Sequence, residues 1–95
     1  MAGYRPAVRS GAAEVIRHLP PDIKRAVKSA IRALLADPAI GEPLHGELEG
    51  LWKYRVRGFR VVYQVDRANK VVNIIGVGER RSIYEEVAEL LRSQR

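Results

Sequence analysis

The chain predicts an α+β domain, with a helical hairpin packed on a small antiparallel sheet and a tail helix, in the order β-α-α-β-β-β-α. Three observations carry this reading. Ile23, Val27, Ala30, Ile31, Leu34 and Leu35 recur at helical spacing. The stretch from Trp52 to Val65 alternates apolar and polar residues on either side of Arg57-Gly58, a hairpin signal. Val71-Val72-Asn73-Ile74-Ile75-Gly76-Val77 is a near-continuous apolar run that suits a central strand. The 95 residues form one domain, 1–95, large enough for a core without staples. No internal repeat, low-complexity stretch or linker interrupts it.

Each element has its own signal. Tyr4–Arg9 alternates weakly and reads as a short strand. Pro6 cannot donate a ladder hydrogen bond, which places that strand at an edge. Ser10 is an N-cap candidate for a helix holding Ala12, Ala13, Val15, Ile16 and Leu19. Pro20-Pro21 breaks it and suits the first turn of a second helix, with Asp22 near the positive end. Asp37-Pro38 ends that helix. Pro38, Gly41, Pro43, Gly46 and Gly50 mark residues 38–50 as loop. Arg67-Ala68-Asn69-Lys70 forms the turn before the central strand. Gly78-Glu79-Arg80-Arg81 leaves the sheet, and Ser82 is placed to cap a tail helix lined by Tyr84, Val87, Leu90 and Leu91.

Charge narrows the function. The net charge is +6 and the pI about 10.2, which favours nucleic acid or an acidic protein as partner. The excess is uneven: residues 1–48 carry a net +2 and residues 49–95 a net +4. There is no cysteine, so disulfides and thiolate chemistry are excluded. The start resembles no secretory signal, and no run approaches the roughly 18 apolar residues of a membrane span. A soluble cytoplasmic protein without membrane contact is the expectation.

The alternation on the hairpin separates two faces. Trp52, Tyr54, Val56, Phe59, Val61, Tyr63 and Val65 take one. Lys53, Arg55 and Arg57 take the other, and Arg60 joins them beside Val62 and Gln64. No acid occurs among residues 51–60. Like charges side by side on a sheet repel, so the pattern suggests an anionic partner. Arg80 follows at the end of the next strand. Gly76 and Gly78 share its phase and leave that end bare for a ligand to approach. Tyr84 begins the tail helix close by. Such cations with a phenol can bind a phosphodiester, stack on a base and stabilise a phosphorane-like transition state.

Other chemistries lack residues. His18 and His45 are the only histidines, and neither has the company of a metal site or a ribonuclease histidine pair. No Walker loop is present, and Gly76-Val77-Gly78 lacks the rest of a dinucleotide fingerprint. No cofactor is implied. From the residues alone, an RNA-active surface and a cationic patch that docks an acidic partner stand level.

The pattern Pro43-Leu44-x-Gly46-x-Leu48-x-Gly50-Leu51-x-Lys53-x-Arg55-Val56-x-x-Gly58-Phe59-Arg60-Val61-Val62-Tyr63, followed by Ile74-Ile75-Gly76-Val77-Gly78-Glu79-Arg80-Arg81-Ser82-Ile83-Tyr84, resembles the RelE/ParE superfamily of type II toxin-antitoxin toxins. The resemblance spans nearly the whole chain and implies a RelE-like microbial ribonuclease-type fold. The RelE branch implies a ribosome-dependent messenger RNA endonuclease that cuts in the ribosomal A site by 2′-hydroxyl attack, without a metal. On that resemblance Lys53 takes the base or charge-stabilising role, and Arg55 stands where a second lysine occurs in a well-known branch. Arg60 holds the scissile phosphate, Arg80 serves the leaving 5′ oxygen and Tyr84 stacks on the codon base. Arg57 and Arg81 add RNA-binding charge. The resemblance further implies a cognate antitoxin, the ribosome and messenger RNA as partners, and operator DNA only through the antitoxin complex. The ParE branch implies instead a DNA gyrase poison without nuclease chemistry. A degenerate member would only bind its antitoxin.

Overall fold

The computed structural model describes residues 3–94. A five-stranded sheet is built from β1 (Arg5–Val8), β2 (Glu42–Pro43), β3 (Trp52–Val56), β4 (Phe59–Asp66) and β5 (Val71–Gly78), in the spatial order β1-β5-β4-β3-β2. Helices α1 (Ser10–Arg17) and α2 (Pro21–Ala36) form the hairpin, and α3 (Ser82–Ser93) is the tail. No helix among the described residues is long and apolar enough to cross a membrane.

The α+β class holds, with two departures from the expected sheet. It is mixed rather than antiparallel, because β1 runs parallel to β5 with Pro6 opposite Val72. The helical hairpin carries the chain from one edge of the sheet to the other. The antiparallel steps β2-β3-β4-β5 then return it to β1, and their number leaves β5 parallel to β1. Pro6 does lie on an edge strand. The expected loop 38–50 also contains a two-residue strand, Glu42–Pro43, between two 3₁₀ turns at Pro38–Ile40 and Gly46–Leu48. Two residues are too few to display a period, so nothing in the sequence announced it.

Two expected caps are not caps. Ser10 and Ser82 are the first helical residues. Arg9 and Arg81 occupy the N-cap positions, and neither makes a side-chain cap bond.

The core has two layers of contact. Ala12, Ile16, Val27, Ile31 and Leu34 of the hairpin pack on Val61, Tyr63, Val72, Ile74 and Val77 of the sheet. The Tyr63 hydroxyl donates to the Pro38 carbonyl at 2.6 Å, and its ring stacks on Trp52 at 6.2 Å. On the opposite face Leu51, Val62, Ile83 and Val87 make a smaller cluster under α3.

One irregularity in β5 decides which side chains meet which layer. Val62 lies opposite Gly76 but Tyr63 lies opposite Ile74, so Ile75 is an extra, bulged residue. The bulge reverses the alternation. Val72 and Ile74 face the hairpin, whereas Gly76 and Gly78 face α3. Unbroken alternation would have put these four even-numbered residues on one face, and the bulge divides them.

Candidate active site

The site is built where β3, β4 and the start of α3 meet. Lys53 and Arg55 project from β3 on the α3 side, opposite Val62 and Arg60 of β4. Phe59 and Arg60 follow a two-residue turn in which Arg57 (φ 51°) and Gly58 (φ 84°) both have positive φ, the signature of a type I′ hairpin. The turn fixes the register that sets Arg55 directly against Arg60.

Tyr84 in the first turn of α3 closes the cluster. Its ring centroid lies 6.0 Å from Lys53 Nζ and 6.0 Å from Arg60 Cζ. These separations are at the outer reach of a cation–π contact. Arg60 is further held by a 2.9 Å hydrogen bond from Nη1 to the Glu79 carbonyl. The strand end and the head of α3 are thereby tied to the same guanidinium.

Arg80 and Arg81 are exposed in the turn from β5 into α3. Their carbonyls accept from the Ile83 and Tyr84 amides at 3.1 and 3.0 Å, which winds the first turn tightly. Both residues therefore stand at the positive end of α3, where the helix dipole adds to their charge. Arg80 is two residues beyond Gly78, the register partner of Arg60.

Arg57 does not join this cluster. It sits in the hairpin turn rather than on the strand, so the alternation that grouped it with Lys53 and Arg55 stops before it. Its guanidinium lies 3.8 Å from Asp22 of α2, towards the helical hairpin.

The glycine pair is not bare either. A side-chain carbon on Gly76 would come within 3.1 Å of both Ile83 and Val87, and one on Gly78 within 2.8 Å of Ile83 Cβ. These glycines admit α3, not a ligand.

Two contributors escaped the sequence reading. Glu42 on β2 is the register partner of Lys53, with its carboxylate 4.0 Å from Nζ. This acid is brought to the edge of the cluster by a strand with no periodicity to read. Gly41 beside it is packed against Tyr63 Oη and lies close to the Lys53 carbonyl, so the path of β3 at Lys53 depends on it.

Among the described residues, Arg55, Arg60, Arg80 and Arg81 have no carboxylate partner. No three His, Asp or Glu side chains converge among them to hold a metal ion. What is assembled is Lys53 and Arg60 at the Tyr84 ring, with Arg55 in register beside Arg60 and Arg80 and Arg81 in the adjoining turn. Such a set can hold a phosphate between guanidinium groups and a base against the ring.

Comparison with known proteins identifies relatives of the whole chain. The family described as ParE toxin of type II toxin-antitoxin system, parDE, matches residues 4–84. Toxin RelE of Mycobacterium tuberculosis is 36% identical over 83 residues, covering 85% of this chain and 86% of its own length. Among solved structures, a chain of the RelBE2 toxin-antitoxin complex from M. tuberculosis superposes with a TM-score of 0.75 at 31% identity, covering 82% of this chain and 99% of that one. The isolated E. coli RelE toxin gives a TM-score of 0.71 at 29% identity, covering 93% and 98%.

Proposed function

This chain belongs to the RelE/ParE superfamily of toxins of type II toxin-antitoxin systems, and from that premise we propose that it is a ribosome-dependent messenger RNA endonuclease of the cytoplasm. The observation that carries the reading is the placement of Lys53 and Arg60 at equal distance from the Tyr84 ring. An A-site base stacked on Tyr84 would bring its flanking phosphate to Arg60 and Arg55. The messenger's 2′-hydroxyl attacks that phosphorus, its O–P bond forms, and the P–O5′ bond breaks to leave a cyclic phosphate and a 5′-hydroxyl. Lys53 accepts the 2′ proton, or offsets the developing charge while that proton passes to water. The leaving 5′ oxygen, its charge held by Arg80, takes a proton from water. All five side chains act on charge or position, so the scheme uses no cofactor.

A cognate antitoxin is the second part of the proposal. Two of the solved relatives are toxins held in complexes with their RelB antitoxin. A groove of about 490 Å³ lies between β1 and the helical hairpin. Its floor includes Val8, Ile16, Ile31 and Leu35, and its rim includes Lys24, Lys28 and Arg32. An acid-flanked amphipathic antitoxin segment suits it. Displacement of α3 by an antitoxin helix is the alternative route to inhibition, and operator DNA would be met only through the complex.

The family description names ParE toxins, and this favours one competing reading: a gyrase poison without nuclease chemistry. One experiment separates them. A defined messenger is incubated with the purified protein, with and without programmed ribosomes, beside an Arg60→Ala, Arg80→Ala double variant. Cuts in the A-site codon that need ribosomes and vanish in the variant support the nuclease. Absence of cutting under both conditions sinks it, and a gyrase cleavage assay then distinguishes a poison from an inactive antitoxin-binding module.

A further inference from the structure

Gly78 stands where three contacts of the candidate site cross. Across the sheet it is the register partner of Arg60. The next carbonyl along the chain, that of Glu79, holds the Arg60 guanidinium. Above it lies Ile83, which is 5% exposed and immediately precedes Tyr84. A methyl added at Gly78 would sit 2.8 Å from Ile83 Cβ and 3.2 Å from both Cγ1 and Cδ1.

The backbone at Gly78 does not itself require glycine. Positive φ among the described glycines is confined to Gly46, Gly50 and Gly58. Space is therefore the requirement, and it differs in kind between the two glycines under α3. At Gly76 the near atoms are methyl tips, Ile83 Cδ1 and Val87 Cγ2, both at 3.1 Å. There the side-chain methyls need give by only a few tenths of an ångström. At Gly78 the near atom is a Cβ, fixed to the helix backbone, so the first turn of α3 itself must move.

The geometry points to Gly78 as a positioning residue: its missing side chain lets α3 seat deeply enough for Tyr84 to stand between Lys53 and Arg60. For its effect on catalysis this inference rests on the nuclease reading. For the placement of the ring it does not. Lifting the first turn carries Tyr84 with it, because the Ile83 and Tyr84 amides are bonded to the Arg80 and Arg81 carbonyls in one tight turn. A shift of about 1 Å at a reacting centre costs on the order of 100-fold in rate.

The test compares Gly78→Ala with Gly76→Ala in the full chain, by two readouts. The first is proton NMR of the Lys53 ε and Arg60 δ methylenes, which the Tyr84 ring current shifts. The second is single-codon cleavage on programmed ribosomes. Gly78→Ala is expected to abolish the ring-current shifts and to lower kcat about 10- to 100-fold with KM within about threefold. Gly76→Ala is expected to keep both. Wild-type shifts or wild-type kcat in Gly78→Ala overturns the inference. Should Gly78→Ala not fold, the double variant Gly78→Ala, Ile83→Gly removes the opposing Cβ from the helix side, with Ile83→Gly alone as the control for lost packing. A double variant that matches Ile83→Gly alone in folding and in the shifts supports the role of the seat, and one that falls below it overturns it. If the wild type cuts nothing, the nuclease reading falls, and the NMR comparison still decides the placement of Tyr84.

Discussion

Arg55 and Arg60 are direct cross-strand partners on β3 and β4, and neither has a carboxylate partner among the described residues. Like charges so placed cost a sheet about 0.2–1 kcal/mol relative to neutral neighbours. A bound phosphate reverses the sign of that term. Arg55→Gln is therefore expected to raise Tm by up to about 8 °C at low salt, with a smaller gain at high salt. The same variant is expected to cut messenger at least roughly tenfold more slowly. Calorimetry beside the cleavage assay checks both. A variant that is both less stable and fully active would remove the pair from the site.

Tyr63 gives a pH prediction. Burial is the main cause that pushes its phenol up to about 12, against the ordinary 10.0. The unfolded chain thus releases this proton before the folded one does. Stability from the neutral buried phenol is complete below about pH 10 and is lost as pH rises towards 12, by roughly 2–3 kcal/mol. Urea unfolding between pH 9 and 12 measures it. Tyr63→Phe is expected to flatten that slope, while costing about 1 kcal/mol at neutral pH through the bond to the Pro38 carbonyl. An unchanged alkaline slope in Tyr63→Phe would assign the loss to other groups.

Gly41 supports Lys53 from below. A side chain at Gly41 would come within 2.6 Å of the Lys53 carbonyl and press on Tyr63 Oη. Gly41→Ala is expected to destabilise by about 1–3 kcal/mol, since backbone has to give way. It should also shift the Lys53 amide resonance. A neutral Gly41→Ala would mean that the 38–43 segment adapts freely.

Arg92 ties the end of α3 to the 3₁₀ turn at Gly46–Leu48. Its guanidinium donates to Glu47 at 2.7 Å, to Glu85 at 2.8 Å and to Glu89 at 3.1 Å. Only the Glu47 bond leaves the helix. Exposed pairs of this kind contribute about 0.2–1 kcal/mol. Glu47→Gln is expected to lower hydrogen-exchange protection in the last turn of α3 roughly two- to fivefold, and 1 M salt should erase the difference. Equal loss in Glu85→Gln would show that helix fraying alone is being read.

The legible parts of this chain were those with long periods or chemically odd neighbours. The helical stripe of α2, the alternation of β3 and β4, and the cations Lys53, Arg55 and Arg60 could all be read directly. In the structure Lys53 Nζ and Arg60 Cζ each lie 6.0 Å from the Tyr84 ring centroid. Arg57 was misplaced because alternation was carried one residue into a turn whose positive φ ends it. Gly76 and Gly78 read as ligand space in the sequence because a sequence does not say which layer will cover a glycine. Glu42 was missed because a two-residue strand has no pattern.

The sequence by itself determined the class of the fold, its longer elements and the residue types able to meet a phosphate. These follow from local periodicity and composition, which are properties of neighbours in the chain. The tertiary structure decided what depends on distant segments meeting. The bulge at Ile75 chose which face of β5 the glycines serve. The close seat of α3 chose where Tyr84 stands, and strand register set Arg55 against Arg60. Each arises from packing between elements far apart in sequence, where one residue of register reverses a face and one methyl displaces a helix.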